Sequence, residues 1–158
     1  MIKVTVIAVG KIKEKGLLTE LDEYKKRLKA FCDFEVVEIK PAPLPENPNE
    51  AQISSALASE EKTILDKVPK GFSVYPLCIE GKSLSSEQLA EKFENGLSEG
   101  KSICFIIGGS HGLSDKVKAL GEGISFSKMT FPHRLFRLML FEQIYRAFTI
   151  TAGKKYHK

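Results

Sequence analysis

Cysteine is scarce and scattered in this chain. Cys32, Cys78 and Cys104 are odd in number and form no CxxC pair, which argues against a disulfide framework or a zinc cluster. Two of the three sit inside apolar runs, the usual setting of a small buried hydrophobe. The three histidines (His111, His133, His157) are far apart, with no carboxylate cluster beside them, so no metal site is expected. No apolar run approaches the ~20 residues that a membrane span needs. The opening MIKVTVIAVG has one lysine and too short an apolar stretch for a signal peptide. The expectation is a cytoplasmic protein with no membrane partner. Repeats and low-complexity tracts are missing too, as are a GxGxxG fingerprint and a P-loop.

What is present suits one globular domain. The 158 residues are 42% hydrophobic and 28% charged, enough apolar mass for a core and too few residues for two ordinary domains. The net charge of +4 is unevenly spread. From Lys128 onward seven basic residues face one acid, Glu142, a net +6, whereas the preceding 127 residues hold 17 basic and 19 acidic side chains, a net −2. That asymmetry points to an anionic partner at the C-terminal region, with a merely solvated basic tail as the equal alternative.

Strand and helix patterns alternate along the chain. Residues 2–9, 34–39, 72–79, 102–107 and 124–127 read as strands. Pro76 inside the third implies an edge or a bulge, and the continuous apolar run of the fourth (SICFII) implies burial on both faces, as in a parallel sheet. Helical spacing begins at Leu17, with Leu21, Tyr24, Leu28 and Phe31 on one face. A second helix runs from an Asn49 cap to Val68, and a third follows a Ser85–Gln88 capping box with Leu89, Phe93 and Leu97 inward. Ser114 opens a short helix, and the last spans Arg134 to about Thr149. Four prolines between Pro41 and Pro48 mark an extended loop. The pattern predicts an α/β fold, a single domain with a mostly parallel sheet flanked by helices.

Four places hold candidate chemistry. The turn Ile107-Gly108-Gly109-Ser110-His111-Gly112 follows a buried strand, where backbone amides approach ligands at strand ends; a tight turn that only needs glycine is the other reading. In Phe126-Ser127-Lys128-Met129-Thr130-Phe131-Pro132-His133, Pro132 suits a first helical turn. His133 then lies at the helix N-terminus, where the dipole keeps its ring neutral; for the Pro-His pair by itself, a helix-entry histidine with no chemical task is the favoured reading. The final helix, RLFRLMLFEQIYRAFT, is apolar over more than half its circumference. It is either the central element of one core or a helix with a second face against another chain, which favours a homodimer. Glu142 and Arg146 stand at i, i+4, and Arg134, Arg137 and Arg146 are candidate phosphate ligands. Lastly, the tail Lys154-Lys155-Tyr156-His157-Lys158 mixes lysines with an aromatic and a histidine, a composition that grips a base and its phosphate.

Together these residues resemble one family over essentially the whole chain. The set comprises the Ile2–Lys13 run ending AVGKIK, LxxxGKxLSSE (Leu77–Glu87), FxIGGSxG (Phe105–Gly112), SFSKMTFPH (Ser125–His133), EQIYRAFxI (Glu142–Ile150) and a terminal Tyr-His-Lys. It is similar to the ribosomal RNA large subunit methyltransferase H family, SPOUT-class enzymes that methylate N3 of a pseudouridine in large-subunit ribosomal RNA. The resemblance implies a C-terminal trefoil knot and a homodimer. It also implies an S-adenosylmethionine pocket made by Leu77 and the following loop, Gly108 with Gly109, and Phe126, Ser127, Lys128, Met129, Thr130 and Phe131. Within that frame His133 is the first candidate general base, and Tyr156 or His157 would stack on or hydrogen-bond the flipped base. Arg134, Arg137, Arg146, Lys154 and Lys155 would hold RNA phosphates. The assembled ribosome is the expected substrate. A non-enzymatic, ribosome- or RNA-binding dimer of the same fold is the main alternative.

Overall fold

The computed structural model describes residues 1–157; Lys158, the last residue of the tail, lies outside the described residues. Five strands and five helices follow one another: β1 (Lys3–Val9), α1 (Lys15–Leu28), β2 (Asp33–Ile39), α2 (Glu50–Lys67), β3 (Ser73–Ser83), α3 (Ser86–Glu99), β4 (Ile103–Ile107), α4 (Asp115–Lys118), β5 (Ile124–Ser125) and α5 (His133–Thr151). The strands form one sheet in the order β2-β1-β4-β3-β5, and every pairing is parallel.

Helices cover both faces, which explains the unbroken apolar runs of β1 and β4. Val4, Val6, Ala8, Ile103, Phe105 and Ile107 point to one face, where α1, α3 and α5 supply Leu28, Phe93, Phe141 and Ile144. Ile7, Val9, Cys104 and Ile106 point to the other, under Ile64 of α2 and Val117 of α4. Alternate residues thus enter different cores, as the two-residue period of a strand requires. Burial lifts the Cys32 and Cys104 thiols to about 12, so both behave as small hydrophobes.

Local signals hold where the backbone chemistry is self-contained. Asn49 and Ser85 both form full capping boxes, each side chain accepting from the backbone N–H of the N3 glutamine that reaches back. Ser85→Ala is expected to cost about 1 kcal/mol, read as a lower urea midpoint at unchanged slope; an unmoved midpoint would show that solvent replaces the cap fully.

Tertiary packing alters several expectations. Leu97 is 40% exposed instead of inward. The inward position of that last turn is Gly96, where a Cβ would already touch the Ile103 side chain at 3.5 Å, so α3 lies too close to β4 for a leucine. Phe31 falls in the turn after α1, although it still packs on the core. The last strand is two residues long, because Ser125 Oγ donates to the Ser127 carbonyl and Ser127 Oγ accepts from the Met129 N–H, which turns the chain out of the ladder. Pro76 is in a strand with neighbours on both sides. It is tolerated because pairing to β5 is made only at Leu77 and again at Lys82 and Ser83, across an irregularity.

Candidate active site

A cavity of about 1130 Å³ opens at the carboxyl ends of the strands, where open parallel sheets hold their ligands. Leu77 and the residues after it come from β3, Ile107 to Leu113 from the turn after β4, and Phe126 to Arg134 from the stretch between β5 and α5. Of the nine residues singled out for a cofactor, Leu77, Gly108, Gly109, Phe126, Ser127, Met129, Thr130 and Phe131 line this cavity. Lys128 is exposed and stands off its wall.

The remaining wall is not among the sequence candidates. Lys11 and Glu14 follow β1, Pro41, Ala42 and Leu44 belong to the proline-rich loop, and Ile53, Leu57 and Glu60 lie on α2. Glu60 accepts from the Ala42 N–H at 2.9 Å, pinning that loop to the helix. The available signal was positional: a stiff loop directly after a parallel strand lies at the ligand-binding end of the sheet. Glu80 and Lys118 also line the cavity and pair with each other.

His133 occupies the first turn of α5 with both ring nitrogens engaged. Nδ1 is 3.2 Å from the Gly108 carbonyl oxygen, and Nε2 is 2.9 Å from Nη2 of Arg137. A carbonyl only accepts and a guanidinium only donates, so the ring is neutral with its proton on Nδ1. Burial is the main cause holding its pKa below the usual histidine value, and the Arg137 charge adds to it. The expected neutral imidazole is therefore present, but its lone pair is turned to Arg137. With Nε2 so engaged and Nδ1 on the Gly108 carbonyl, no acceptor site of the ring faces the cavity in the ligand-free chain.

Arg137 departs from expectation more sharply. It is 3% exposed, and its guanidinium donates to Glu38 of β2, to the Gly10 carbonyl at 3.1 Å and to His133. It is not at the surface to hold a phosphate. Arg134 is exposed, lines the cavity and pairs with Glu14 at 3.0 Å. Arg146 is clasped by Glu142 at 2.6 Å and by His157, and stands 5.0 Å from the Tyr156 ring. Lys154 lies 4.8 Å over the Phe31 ring, and Lys155 is exposed.

The tail folds back on its own chain. Tyr156 donates to Glu142 at 3.3 Å and packs edge-on against Tyr145. Burial, ahead of the neighbouring Tyr24, pushes its phenol to about 12. His157 donates from Nε2 to Glu87 at 2.7 Å and accepts from Arg146 at Nδ1. Neither residue lines the strand-end cavity, so within one chain only His133 of the three catalytic candidates reaches it. A second groove, of about 430 Å³, runs between α1, α3 and α5; Tyr24, Leu84, Leu89, Phe126, Leu138 and Met139 are on its walls. One face of α5 is thus buried in the core, and part of another stays open.

Comparison with known proteins agrees with this architecture. The family model described as "Predicted SPOUT methyltransferase" matches residues 2–157. Ribosomal RNA large subunit methyltransferase H of Clostridioides difficile (strain 630) is 46% identical over 98% of this chain and 99% of its own length. The protein of that name from Bacillus cytotoxicus is 48% identical over the same shares. Among solved structures, a probable rRNA-methyltransferase from Porphyromonas gingivalis has a TM-score of 0.54 at 12% identity, over 95% of this chain and 70% of that one. TrmJ from Z. mobilis ZM4 has a TM-score of 0.50 at 14% identity, over 90% and 69%. These last two likenesses bear on the fold alone. The relatives by sequence and the family model match nearly every residue, and on that footing the chain belongs to the SPOUT methyltransferase family, alongside the ribosomal RNA large subunit methyltransferase H proteins.

Proposed function

We propose that this chain transfers a methyl group from S-adenosylmethionine to N3 of a pseudouridine in large-subunit (23S) ribosomal RNA, acting as a cytoplasmic homodimer on the assembled ribosome. The observation that carries the reading is the cavity itself, in which three sequence-distant stretches meet at the carboxyl ends of parallel strands. The residues present fit the cofactor. Leu77, Ile107 and Phe126 offer apolar walls to an adenine, and the main chain around Gly108 and Gly109 approaches closely enough for backbone recognition.

When bound, the cofactor supplies a methyl group already activated as a sulfonium, so the chain's task is positioning and proton removal. N3 would take that methyl group and release its proton, and Leu77, the Gly108–Gly109 turn and Phe126 to Phe131 would hold the cofactor in line for it. His133 contributes order, not a free lone pair, so the N3 proton passes to another acceptor at the cavity, water included. The open groove along α5 supports the dimer: its apolar walls, with Leu135 and Met129 exposed nearby in sequence, are what a second copy would cover. A dimer would also give each tail a neighbouring cavity to meet, and the trefoil knot of the family belongs to the same reading. Arg137 and Arg146 are both engaged internally, which withdraws two of the candidate phosphate ligands and favours RNA presented by a ribosome over naked RNA.

Transfer of labelled methyl to ribosomes lacking the modification, followed by nucleoside analysis of the large-subunit RNA, tests this reading. Label in an N3-methylated pseudouridine is the expected outcome. No transfer and no cofactor binding would leave the non-enzymatic RNA-binding dimer as the better account. Deleting residues 154–158 removes the polar contacts of Tyr156 and His157 together with the Tyr156–Tyr145 ring contact, and is expected to cost about 1–2 kcal/mol of stability while abolishing methylation; a truncated protein as active as the full chain would remove the tail from the site.

A further inference from the structure

The geometry points to Glu38 and Arg137 as positioning residues that act through His133 on the cofactor turn after β4. Four separate pieces of chain converge on one guanidinium: Glu38 at the end of edge strand β2, the Gly10 carbonyl after β1, His133 at the start of α5 and, beyond its ring, the Gly108 carbonyl after β4. Gly10 has φ +123°, a conformation open to glycine, and its carbonyl faces Arg137. The donors and acceptors permit one order. Glu38 and Gly10 orient the guanidinium, the guanidinium fills the Nε2 lone pair, and Nδ1–H is left to hold the Gly108 carbonyl. The inference deepens the methyltransferase reading and rests on it for the identity of the ligand held by that turn.

Stability does not explain this cluster. The Arg137 side chain is 4% exposed but that of Glu38 is 41% exposed, and an ion pair with one solvated partner adds little to stability. Here the guanidinium also keeps a buried Nε that has no partner among the described residues. What a planar, always-charged fork supplies that an apolar side chain cannot is a fixed direction for three acceptors at once. Fixing His133 fixes the backbone that lines the cavity, and a displacement of the order of 1 Å at such a turn can cost about 100-fold.

Charged and titratable groups face His133 from two sides: Arg137 on its own helix and Glu38 from β2, with the Gly10 and Gly108 main chain beside the ring and the cavity beyond it. Protonating Nε2 would set an N–H against the guanidinium. The wild-type ring is therefore expected to remain the Nδ1–H tautomer in solution, and to take up a proton only below the ordinary histidine value of about 6.5.

The experiment combines nitrogen NMR of the His133 ring with calorimetric binding of S-adenosylmethionine. The proteins compared are wild type, the pair variant Glu38→Leu/Arg137→Met, His133→Asn and His133→Ala. The pair variant is expected to melt within a few degrees of wild type, to show a mixed tautomer with a raised titration midpoint, and to bind the cofactor ~10–100-fold more weakly. His133→Asn keeps a donor near the position of Nδ1 and should recover most of the binding lost in His133→Ala. A wild-type ring carrying its proton on Nε2, or a folded pair variant with unchanged tautomer and affinity, overturns the inference. Equal loss in the asparagine and alanine variants also overturns it. Should wild type not bind the cofactor, the functional reading fails, while the tautomer in the free protein still decides the positioning role.

Discussion

Phe93→Ala is expected to lower the unfolding free energy by about 3–5 kcal/mol. Phe93 is fully buried on α3, and its ring lies 6.0 Å from Phe105 of β4 and 4.9 Å from Phe148 of α5. One side chain therefore joins the central sheet to two of the three helices on that face. Its loss removes the transfer energy of a benzyl group and leaves a void whose walls belong to three elements, so no single shift can close it. Against a total of about 5–15 kcal/mol for a domain, the variant would keep a small margin. The urea midpoint should fall with the slope unchanged. Phe93→Leu keeps most of the volume and should cost less than half as much. If the alanine variant loses under about 1 kcal/mol, this face is not the tightly packed core described.

Gly108→Ala should damage the site more than the fold. A Cβ built there falls 2.4 Å from the Gly112 carbonyl oxygen and 2.5 Å from its carbon. Both are backbone atoms, so no rotamer change relieves the clash and the 108–112 turn has to open. The Gly108 carbonyl that His133 holds would move with it. S-adenosylmethionine binding is expected to weaken by ~100-fold, with a smaller fall in melting temperature. Gly109 is the control. Its added Cβ would meet the Val9 side chain at 3.3 Å, a neighbour that can yield by a few tenths of an ångström, so Gly109→Ala should retain most of the binding. Calorimetry on both variants checks the contrast, and equal affinities for the two would mean that the turn is looser than its backbone approach implies.

These two residues differ in how far the sequence announces them. Phe93 follows from spacing, since Leu89 and Phe93 recur at helical intervals behind a capping box whose parts are three residues apart. Gly108 was visible as part of a glycine turn after an apolar strand, but its partner in the clash, Gly112, became relevant only when the turn closed. Leu97 shows the limit of periodicity. Its spacing is correct for the buried face, yet the approach of α3 to β4 leaves room only for Gly96.

The charged residues divide the same way. Sequence alone determined the parallel α/β sheet, the capped helices, the positions of the strand-end loops and the resemblance that names the family, because each depends on short-range periodicity, caps or contiguous motifs. It could also place basic charge near the C-terminus. It could not say which arginines are free. Arg134 and Arg137 are three positions apart on one helix, yet one is exposed and the other is buried under β2 and the end of β1. That difference depends on contacts 99 and 127 residues away, which no local pattern encodes. The neutral state of His133 was legible from its place at a helix start, but tertiary structure alone supplied the donor on Nε2. That donor occupies the Nε2 lone pair in the ligand-free chain, because a guanidinium can only donate.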